Sequence, residues 1–262
     1  MNILVCVKQV PQSVSSGFDP VTNTINRDGD NEMNPADVYA LETALELRDR
    51  HDGEVTVITM GKRSASALLI QAATLGADNL YLINDEIYAG SDTYVTAMIL
   101  AKAISSLPEF DLIICGRRAI DGETGQVGPQ LSVIFEIPCA TNIDGIIQTS
   151  AEKIVCRRLT EFGHETLEID YPALITVCEG VENIPHPRLA SLMGMRKAKN
   201  ATINKLTNEQ LMLDSASVGL TGSPTKVEHV SHMIRESKNC VPELNIDKSV
   251  EHIIQMISEG IK

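Results

Sequence analysis

Glu54-Val-Thr-Val-Ile-Thr-Met60-Gly61 has the β-branched, apolar composition of a buried strand, and its glycine is a typical end point. Ser64 to Leu75 follows as a predicted helix that ends at Gly76. The same alternation extends on both sides, with predicted strands at 2–7, 80–83 and 110–115 and predicted helices at 35–47 and 92–107. Four strand–helix alternations predict an α/β fold with right-handed crossovers and a parallel sheet covered on both faces. Ligands are expected at the carboxyl ends of the strands.

The second half of the chain has a different rhythm. Residues 154–159 and 165–170 are predicted to form a β-hairpin that turns at Gly163, and 173–177 to form a further buried strand. Residues 186–245 show no strand pattern, and 248–261 form an amphipathic helix. Long irregular stretches are uncommon within compact domains, so we expect an α/β domain at 1–185 and an arm at 186–262 that packs on another subunit.

Composition excludes several classes of protein. The net charge is −13, and it is concentrated in residues 1–185, which carry 12 basic and 27 acidic side chains, so nucleic acid is not an expected partner. The chain has no run of eighteen apolar residues, and we expect neither a membrane span nor secretion. The six cysteines contain no C-x-x-C pair, which favours small buried side chains in a reducing cytoplasm.

The stretch from Gly116 to Pro129, GRRAIDGETGQVGP, lies between a predicted strand and a predicted helix. Its glycines allow close approach of a ligand to the backbone, Thr124 offers a hydroxyl, and the first amides of the following helix suit an anion. The pattern matches neither of the two common glycine-rich phosphate motifs, so a plain flexible turn is the alternative to a phosphate site.

Catalytic side chains are not evident. Asp121 and Glu123 resemble an acid–base pair but have no nucleophile or metal constellation nearby, so solvated loop carboxylates are the favoured interpretation. His229 and His232 have helical spacing without a third ligand, which favours a surface helix over a metal site. From these residues alone, we predict a nucleotide-binding α/β protein.

Several motifs, in the right order and across nearly the whole chain, resemble the small (beta) subunit of electron transfer flavoproteins. They are ILVCVKQVP at 3–11, MNP at 33–35, TMG at 59–61, the loop 116–129, the hairpin region 157–176, and PRLASLMGMRKAK at 187–199. The hairpin departs from the family pattern at Cys156 and Phe162, which puts the subfamily in doubt more than the family. The resemblance implies a Rossmann-like fold of the adenine nucleotide alpha hydrolase type, with a hairpin extension and a C-terminal arm.

The same resemblance implies an electron carrier, a heterodimer whose large (alpha) subunit holds FAD. In ordinary members the small subunit binds AMP. In flavin-bifurcating members it binds a second FAD, which takes hydride from NADH and splits the electrons between two acceptors. The segments DPVTN at 19–23, RDG at 27–29, SDT at 91–93 with Thr96, and 121–129 resemble the bifurcating branch, whereas 157–166 resemble the ordinary one. Expected partners are an acyl-CoA dehydrogenase or similar flavoenzyme, with ferredoxin or flavodoxin as a further acceptor; a stand-alone nucleotide sensor is the rival class.

Site residues follow from the resemblance in three groups. Cys6, Met60 and the Asn34 to Asp37 turn would contact the adenosine. Phosphates would be held by the strand end and the loop after it, namely Gly116, Asp121, Gly122, Thr124, Gly125, Gln126 and Val127. Asp92, Thr93 and Thr96 would lie near the ribityl chain or the flavin. Leu192 would be the apolar anchor inserted into the dehydrogenase, beside Lys197.

Overall fold

The computed structural model describes residues 1–12, 18–19, 24–25, 30–227 and 245–260, with the backbone alone for 18–19, 24–25 and 259–260. The strands are β1 (Asn2–Cys6), β2 (Gln9–Pro11), β3 (Phe18–Asp19), β4 (Thr24–Ile25), β5 (Asn31–Met33), β6 (Glu54–Met60), β7 (Asn79–Ile83), β8 (Leu112–Gly116), β9 (Cys139–Thr149), β10 (Lys153–Thr160), β11 (Gly163–Asp170), β12 (Ala173–Val177) and β13 (Ile203–Leu206). The helices are α1 (Pro35–His51), α2 (Ser66–Leu75), α3 (Thr93–Ile104), α4 (Val127–Phe135), α5 (Leu192–Ala198), α6 (Asn208–Leu211), α7 (Gly219–Gly222) and α8 (Ile246–Gly260).

One sheet organises the described chain, in the strand order β11-β10-β9-β12-β8-β1-β6-β7-β13. The strands from β9 to β13 along this order are parallel, and β10 and β11 extend it antiparallel as a hairpin. The order reverses at β1, because β6 and β7 lie on one side of it and β8 on the other. Ligand sites of doubly wound folds lie at such a reversal, beyond the carboxyl ends of the strands.

Both faces of the sheet are buried, as the apolar runs predict. Successive residues of β1 alternate between the faces: Ile3 and Val5 pack with α1 and α2, whereas Leu4 packs with α3 and α4. Successive side chains of a strand point to opposite faces, and here both faces are buried. These strands therefore have apolar residues at nearly every position instead of alternating apolar and polar ones. The α/β fold with a parallel sheet and a hairpin extension is confirmed.

Most predicted elements are confirmed, and three of the differences concern the central sheet and the helix α2. The second helix begins at Ser66 after a short 3-10 turn, Arg63–Ala65. The long strand β9 and the edge strand β13 lie where the sequence predicts no strand. Because β13 pairs with β7, part of the predicted arm completes the sheet of this chain. Packing of the arm on another subunit stays a prediction.

The chain divides into two compact units, Met1–Glu228 and His229–Lys262. In the second unit the structure describes 245–260, where α8 confirms the predicted amphipathic helix. It carries exposed apolar side chains at Ile246, Val250, Ile253, Ile254, Met256 and Ile257. His229 and His232 lie outside the described residues. Across the described chain, the helices are too short or too polar to cross a membrane.

Candidate functional site

Most predicted cofactor residues lie at one edge of the sheet. Cys6, Met60 and Gly116 are the last residues of β1, β6 and β8, which are neighbouring parallel strands. The helices α3 and α4 follow β7 and β8 of this sheet, and the amino end of α1 packs against Gly116 at the end of β8. Backbone amides at helix amino termini lack partners within the helix and favour an anion. This edge is therefore suited to phosphate groups.

Asn34 precedes α1, as predicted for an N-cap, but its side chain does not cap the helix. It is fully buried and holds the loop after β8 instead. Its Nδ2 donates to the carbonyl of Arg118 at 2.9 Å, and its Oδ1 accepts from the Ile120 amide at 3.1 Å. An amide side chain with both ends satisfied fixes the backbone on either side of it. Asn34 thus positions the loop, and contact with adenosine stays a prediction.

Asp37 lies in the first turn of α1 and is 5% exposed. Its Oδ2 accepts from the Lys8 amide at 2.7 Å, and its Oδ1 accepts from Asn34 Nδ2 at 3.0 Å. Burial raises the pKa of Asp37 from 3.8 to about 7, although these hydrogen bonds and the Lys8 charge act in the opposite direction. The folded protein therefore binds this proton more tightly than the unfolded chain, so its contribution to stability falls as the pH rises from about 4 to about 7.

Gly116 is required by the same packing. A side chain there would overlap the carboxylate of Asp37 and the backbone between Ala36 and Asp37. The end of β8 and the start of α1 can approach this closely because position 116 carries no Cβ. The sequence predicts a glycine here so that a ligand can approach the backbone closely. The structure shows a further reason, because the backbone of α1 also approaches Gly116 closely.

The loop between β8 and α4 has an unusual backbone at two positions. Gly125 has φ +61°, and a Cβ there would lie 3.1 Å from the carbonyl oxygen of Arg117. Glu123 also has a positive φ, 51°. Gly122 faces open space, because a Cβ at this position would have no heavy atom within 4 Å. This glycine-rich turn leaves room beside the backbone, as a bound phosphate needs.

Charge in the loop is balanced inside the protein. Asp121 Oδ1 lies 2.6 Å from Lys8 Nζ, and the Asp121 side chain is 3% exposed. The same carboxylate oxygen accepts from the Gly122 amide at 2.8 Å. Neutralised in this way, Asp121 repels a nearby phosphate less than a free carboxylate would. This pairing favours a structural role for Asp121 over acid–base catalysis.

The start of α3 is linked to the loop and to a later segment. Thr93 Oγ1 donates to Gln126 Oε1 at 3.0 Å, which connects α3 to the residue before α4. Asp92 caps α3 by accepting from the Val95 amide at 3.0 Å, and its other oxygen accepts from the amide of Thr225 at 2.9 Å. Partial burial opposes ionisation, but these hydrogen bonds hold the pKa of Asp92 below its ordinary value.

The remaining predicted residues differ in exposure. Thr124 and Gln126 are exposed on the loop, whereas Thr96 and Val127 are half-buried. Cys6 lies opposite Cys115 in the register of β1 and β8. A hydrogen bond with Cys6, together with burial, raises the pKa of Cys115 well above its ordinary value, so this thiol stays protonated. In the described part of the chain, no group of His, Cys, Asp and Glu could hold a metal ion.

Leu192 and Lys197 lie on α5, away from the glycine loop in sequence. Leu192 is 84% exposed, which suits a residue that contacts a partner. Lys197 Nζ lies 3.4 Å from Asp78 Oδ1. The sequence analysis does not predict two ion pairs, because their members are far apart in sequence. Lys8 pairs with Asp121 in the glycine loop, and Arg188 pairs with Glu42 on α1.

These features define a doubly wound α/β protein with a glycine-rich loop at the carboxyl edge of the sheet, beside the point where the strand order reverses. A family model described as "Electron transfer flavoprotein domain" matches residues 22–211. The chain belongs to the electron transfer flavoprotein family. The predicted resemblance to its small subunit is confirmed by the relatives that follow.

The chain is similar over nearly its full length to beta subunits of this family. It is 38% identical over 260 residues to the electron transfer flavoprotein subunit beta of Thermoanaerobacterium thermosaccharolyticum, covering 98% of each chain. It is 38% identical over 269 residues to the same subunit of Megasphaera elsdenii, covering 100% of this chain and 98% of the relative. It is also 38% identical over 229 residues to the caffeyl-CoA reductase-Etf complex subunit CarD of Acetobacterium woodii, covering 87% and 86%.

Proposed function

We propose that the carboxyl-edge site of this small subunit binds a second FAD, in addition to the FAD of the large subunit. When bound there, the flavin would accept a hydride from NADH and release its two electrons singly, one to a high-potential and one to a low-potential acceptor. The observation that carries the proposal is the link between the glycine loop 121–127 and the start of α3 through Gln126 and Thr93, because FAD would extend from the loop to α3 and AMP would not.

The residues of this edge fit the phosphates of a dinucleotide. Gly125 lets the backbone approach an anion, and the first amides of α4 supply donors. Thr93 lies within hydrogen-bond distance of Gln126, so a ligand could extend from the loop toward α3. Gln130 Oε1 is buried without a hydrogen-bond partner beside this rim, which suits a site that gains a polar ligand.

The protein's own part in this chemistry is to hold the loop and the start of α3 in position for the ligand. Asn34 and Asp37 hold the end of β1 against the loop after β8. Lys8 neutralises Asp121 within that loop. Asp92 has both carboxylate oxygens engaged within the chain, so we assign it to support of α3 and assign Thr93 and Thr96 to the ligand. A preorganised loop binds without first ordering itself.

Partners are proposed from the family and its relatives. One relative's name places it in a caffeyl-CoA reductase complex, which supports a CoA-ester flavoenzyme as the high-potential partner. We propose an acyl-CoA dehydrogenase or similar flavoenzyme, docked at Leu192 and Lys197, and ferredoxin or flavodoxin as the low-potential acceptor. The arm 186–262 would also contact the large subunit. A cytoplasmic location stays a prediction.

The second candidate is an ordinary carrier with AMP in this site. It is supported by the hairpin region 157–166, which resembles the ordinary branch. AMP would need the loop and the adenosine residues but not Thr93 and Thr96. The two candidates therefore differ in the ligand and share the site.

Nucleotide analysis separates the two candidates. The chain is expressed with its large subunit, and the nucleotides released on denaturation are identified and counted per heterodimer. Two FAD are expected, with NADH reducing ferredoxin when an acyl-CoA dehydrogenase and an enoyl-CoA are supplied. One FAD with one AMP would refute the second flavin. No nucleotide beyond the large subunit's FAD would refute the site itself.

A further inference from the structure

The segment 188–199, called the docking segment below, carries a cluster of exposed apolar side chains. Leu189 is 93% exposed, Leu192 84% and Met193 81%. Exposed apolar side chains of this size in one short segment indicate a surface that meets another protein. Such a surface works best when the free protein already holds it in the bound arrangement.

We propose that Glu42 and Arg188 form an anchor that fixes the docking segment on α1 and so presents its apolar side chains to the dehydrogenase. In this proposal Arg188 is a positioning residue that does not itself contact the partner. The proposal rests on the proposed function, because the dehydrogenase is the partner assigned there. It concerns residues outside the nucleotide site.

Arg188 engages Glu42 through its backbone and its side chain. The Arg188 amide donates to Glu42 Oε2 at 2.9 Å, and Nε lies 2.9 Å from both carboxylate oxygens. Nη1 donates to Asp49 Oδ2 at 3.1 Å, two turns further along α1. A backbone donor and a charged fork on one carboxylate fix orientation as well as position.

Two neighbouring contacts hold the chain on either side of this pair. The ring of His186 lies 6.3 Å from the ring of Tyr39, one turn before Glu42. At the far end of the docking segment, Lys197 reaches Asp78, which also accepts from Arg48 at 2.9 Å. The segment is thus tied to the protein at both ends, while the side chains between them stay exposed.

Glu42 is a buried acid that no part of the nucleotide site uses. It is 6% exposed and lies on the face of α1 covered by the chain at 186–188. A buried carboxylate needs a partner charge, and removal of that partner leaves it uncompensated. The two members of this pair lie 146 residues apart in sequence, and Arg188 is the first residue of the docking segment.

The test uses the heterodimer with its large subunit and a purified acyl-CoA dehydrogenase reduced by its acyl-CoA. Arg188→Gln is expected to raise the KM of the dehydrogenase for the heterodimer by about 2- to 30-fold, the range that non-contacting residues give. The kcat and the nucleotide content are expected to stay unchanged. Arg188→Lys keeps the charge but loses the planar guanidinium. Its KM is expected to lie between the KM of the unmodified heterodimer and that of Arg188→Gln.

Hydrogen exchange gives a second readout that needs no dehydrogenase. Amides of 189–199 are expected to exchange faster in Arg188→Gln and in Glu42→Gln than in the unmodified heterodimer. Lys205→Gln removes an exposed cation outside the segment and is expected to change neither readout.

Three results would overturn the anchor, and a fourth bears on the proposed partner. Unchanged exchange in both anchor variants would overturn the anchor, as would a KM for Arg188→Gln equal to that for Lys205→Gln. Loss of nucleotide in Arg188→Gln would also overturn it, because α1 would then be acting through the nucleotide site. An unmodified heterodimer that accepts no electrons from the dehydrogenase would contradict the proposed partner, and exchange alone would then judge the anchor.

Discussion

Replacement of Gly125 by valine is expected to weaken nucleotide binding by about 5- to 30-fold. Gly125 has φ +61°, a conformation that costs an L-residue with a side chain roughly 1–2 kcal/mol. The added Cβ would also lie 3.1 Å from the Arg117 carbonyl oxygen. If the loop must keep this backbone to hold phosphate, the whole strain is subtracted from binding, and 1.4 kcal/mol corresponds to a factor of about ten.

The assay is the affinity of the apo-heterodimer for FAD and for AMP, measured by calorimetry, together with nucleotide content after purification. Gly180→Val is the matched control, because Gly180 also has a positive φ, +67°, and lies outside the loop 116–129, and its added Cβ would meet no heavy atom within 4 Å. It is expected to leave affinity unchanged. A Gly125→Val heterodimer with unaltered affinity would refute the loop as the phosphate site. So would equal losses in Gly180→Val and Gly125→Val, since only Gly125 lies in the loop.

Three further predictions concern other parts of the protein. Asp37→Asn should flatten the pH dependence of stability between pH 4 and 7, because the raised pKa of Asp37, about 7, makes the folded state lose stability as the pH rises. The difference amounts to about 4 kcal/mol, measured by urea unfolding at several pH values, and equal slopes for both proteins would contradict it. Leu192→Ala should raise the KM of the dehydrogenase about tenfold with unchanged flavin content, whereas Met212→Ala, also exposed, should have no effect; equal effects would count against docking at α5. Ile253→Asp should weaken association with the large subunit, measured by ultracentrifugation, whereas His252→Asp on the same helix should not; undiminished association of the first variant would argue against the arm as an interface.

The sequence predicts best where local pattern and tertiary environment agree. The strand Glu54–Met60 is predicted with its observed bounds, because each of its central residues is buried and apolar or β-branched. The hairpin turn at Gly163 is also confirmed, and Gly163 has the positive φ of 130° that a glycine accommodates. In these elements one short pattern carries the whole signal.

The strands β9 and β13 escape such prediction for identifiable reasons. In β9 the polar residues Asn142 and Asp144 and then Gly145 interrupt the apolar pattern, and Asn142 has a positive φ of 57°. The partner strands shift register beside it, which marks bulges. The edge strand β13 has just four residues, half of them polar and exposed on a free edge.

The site shows the same limit at the level of side chains. The sequence predicts the glycine loop between a strand and a helix, and the structure has β8 and α4 there. It does not indicate that the Asn34 side chain forms hydrogen bonds with the loop at 118–120, or that Lys8 pairs with Asp121. Those partners lie more than 80 residues apart, and their contact depends on how the sheet is wound. Local spacing carries no information about such pairs.

An electron-density map of the heterodimer with its bound nucleotides is the sharpest test of the glycine loop as a phosphate site. We expect phosphate oxygens within hydrogen-bond distance of the backbone amides of 122–127, with the adenine-bearing end toward Cys6 and Met60 and the flavin toward Thr93. Density for protein side chains filling that space, or for a nucleotide bound elsewhere on this subunit, would contradict the assignment.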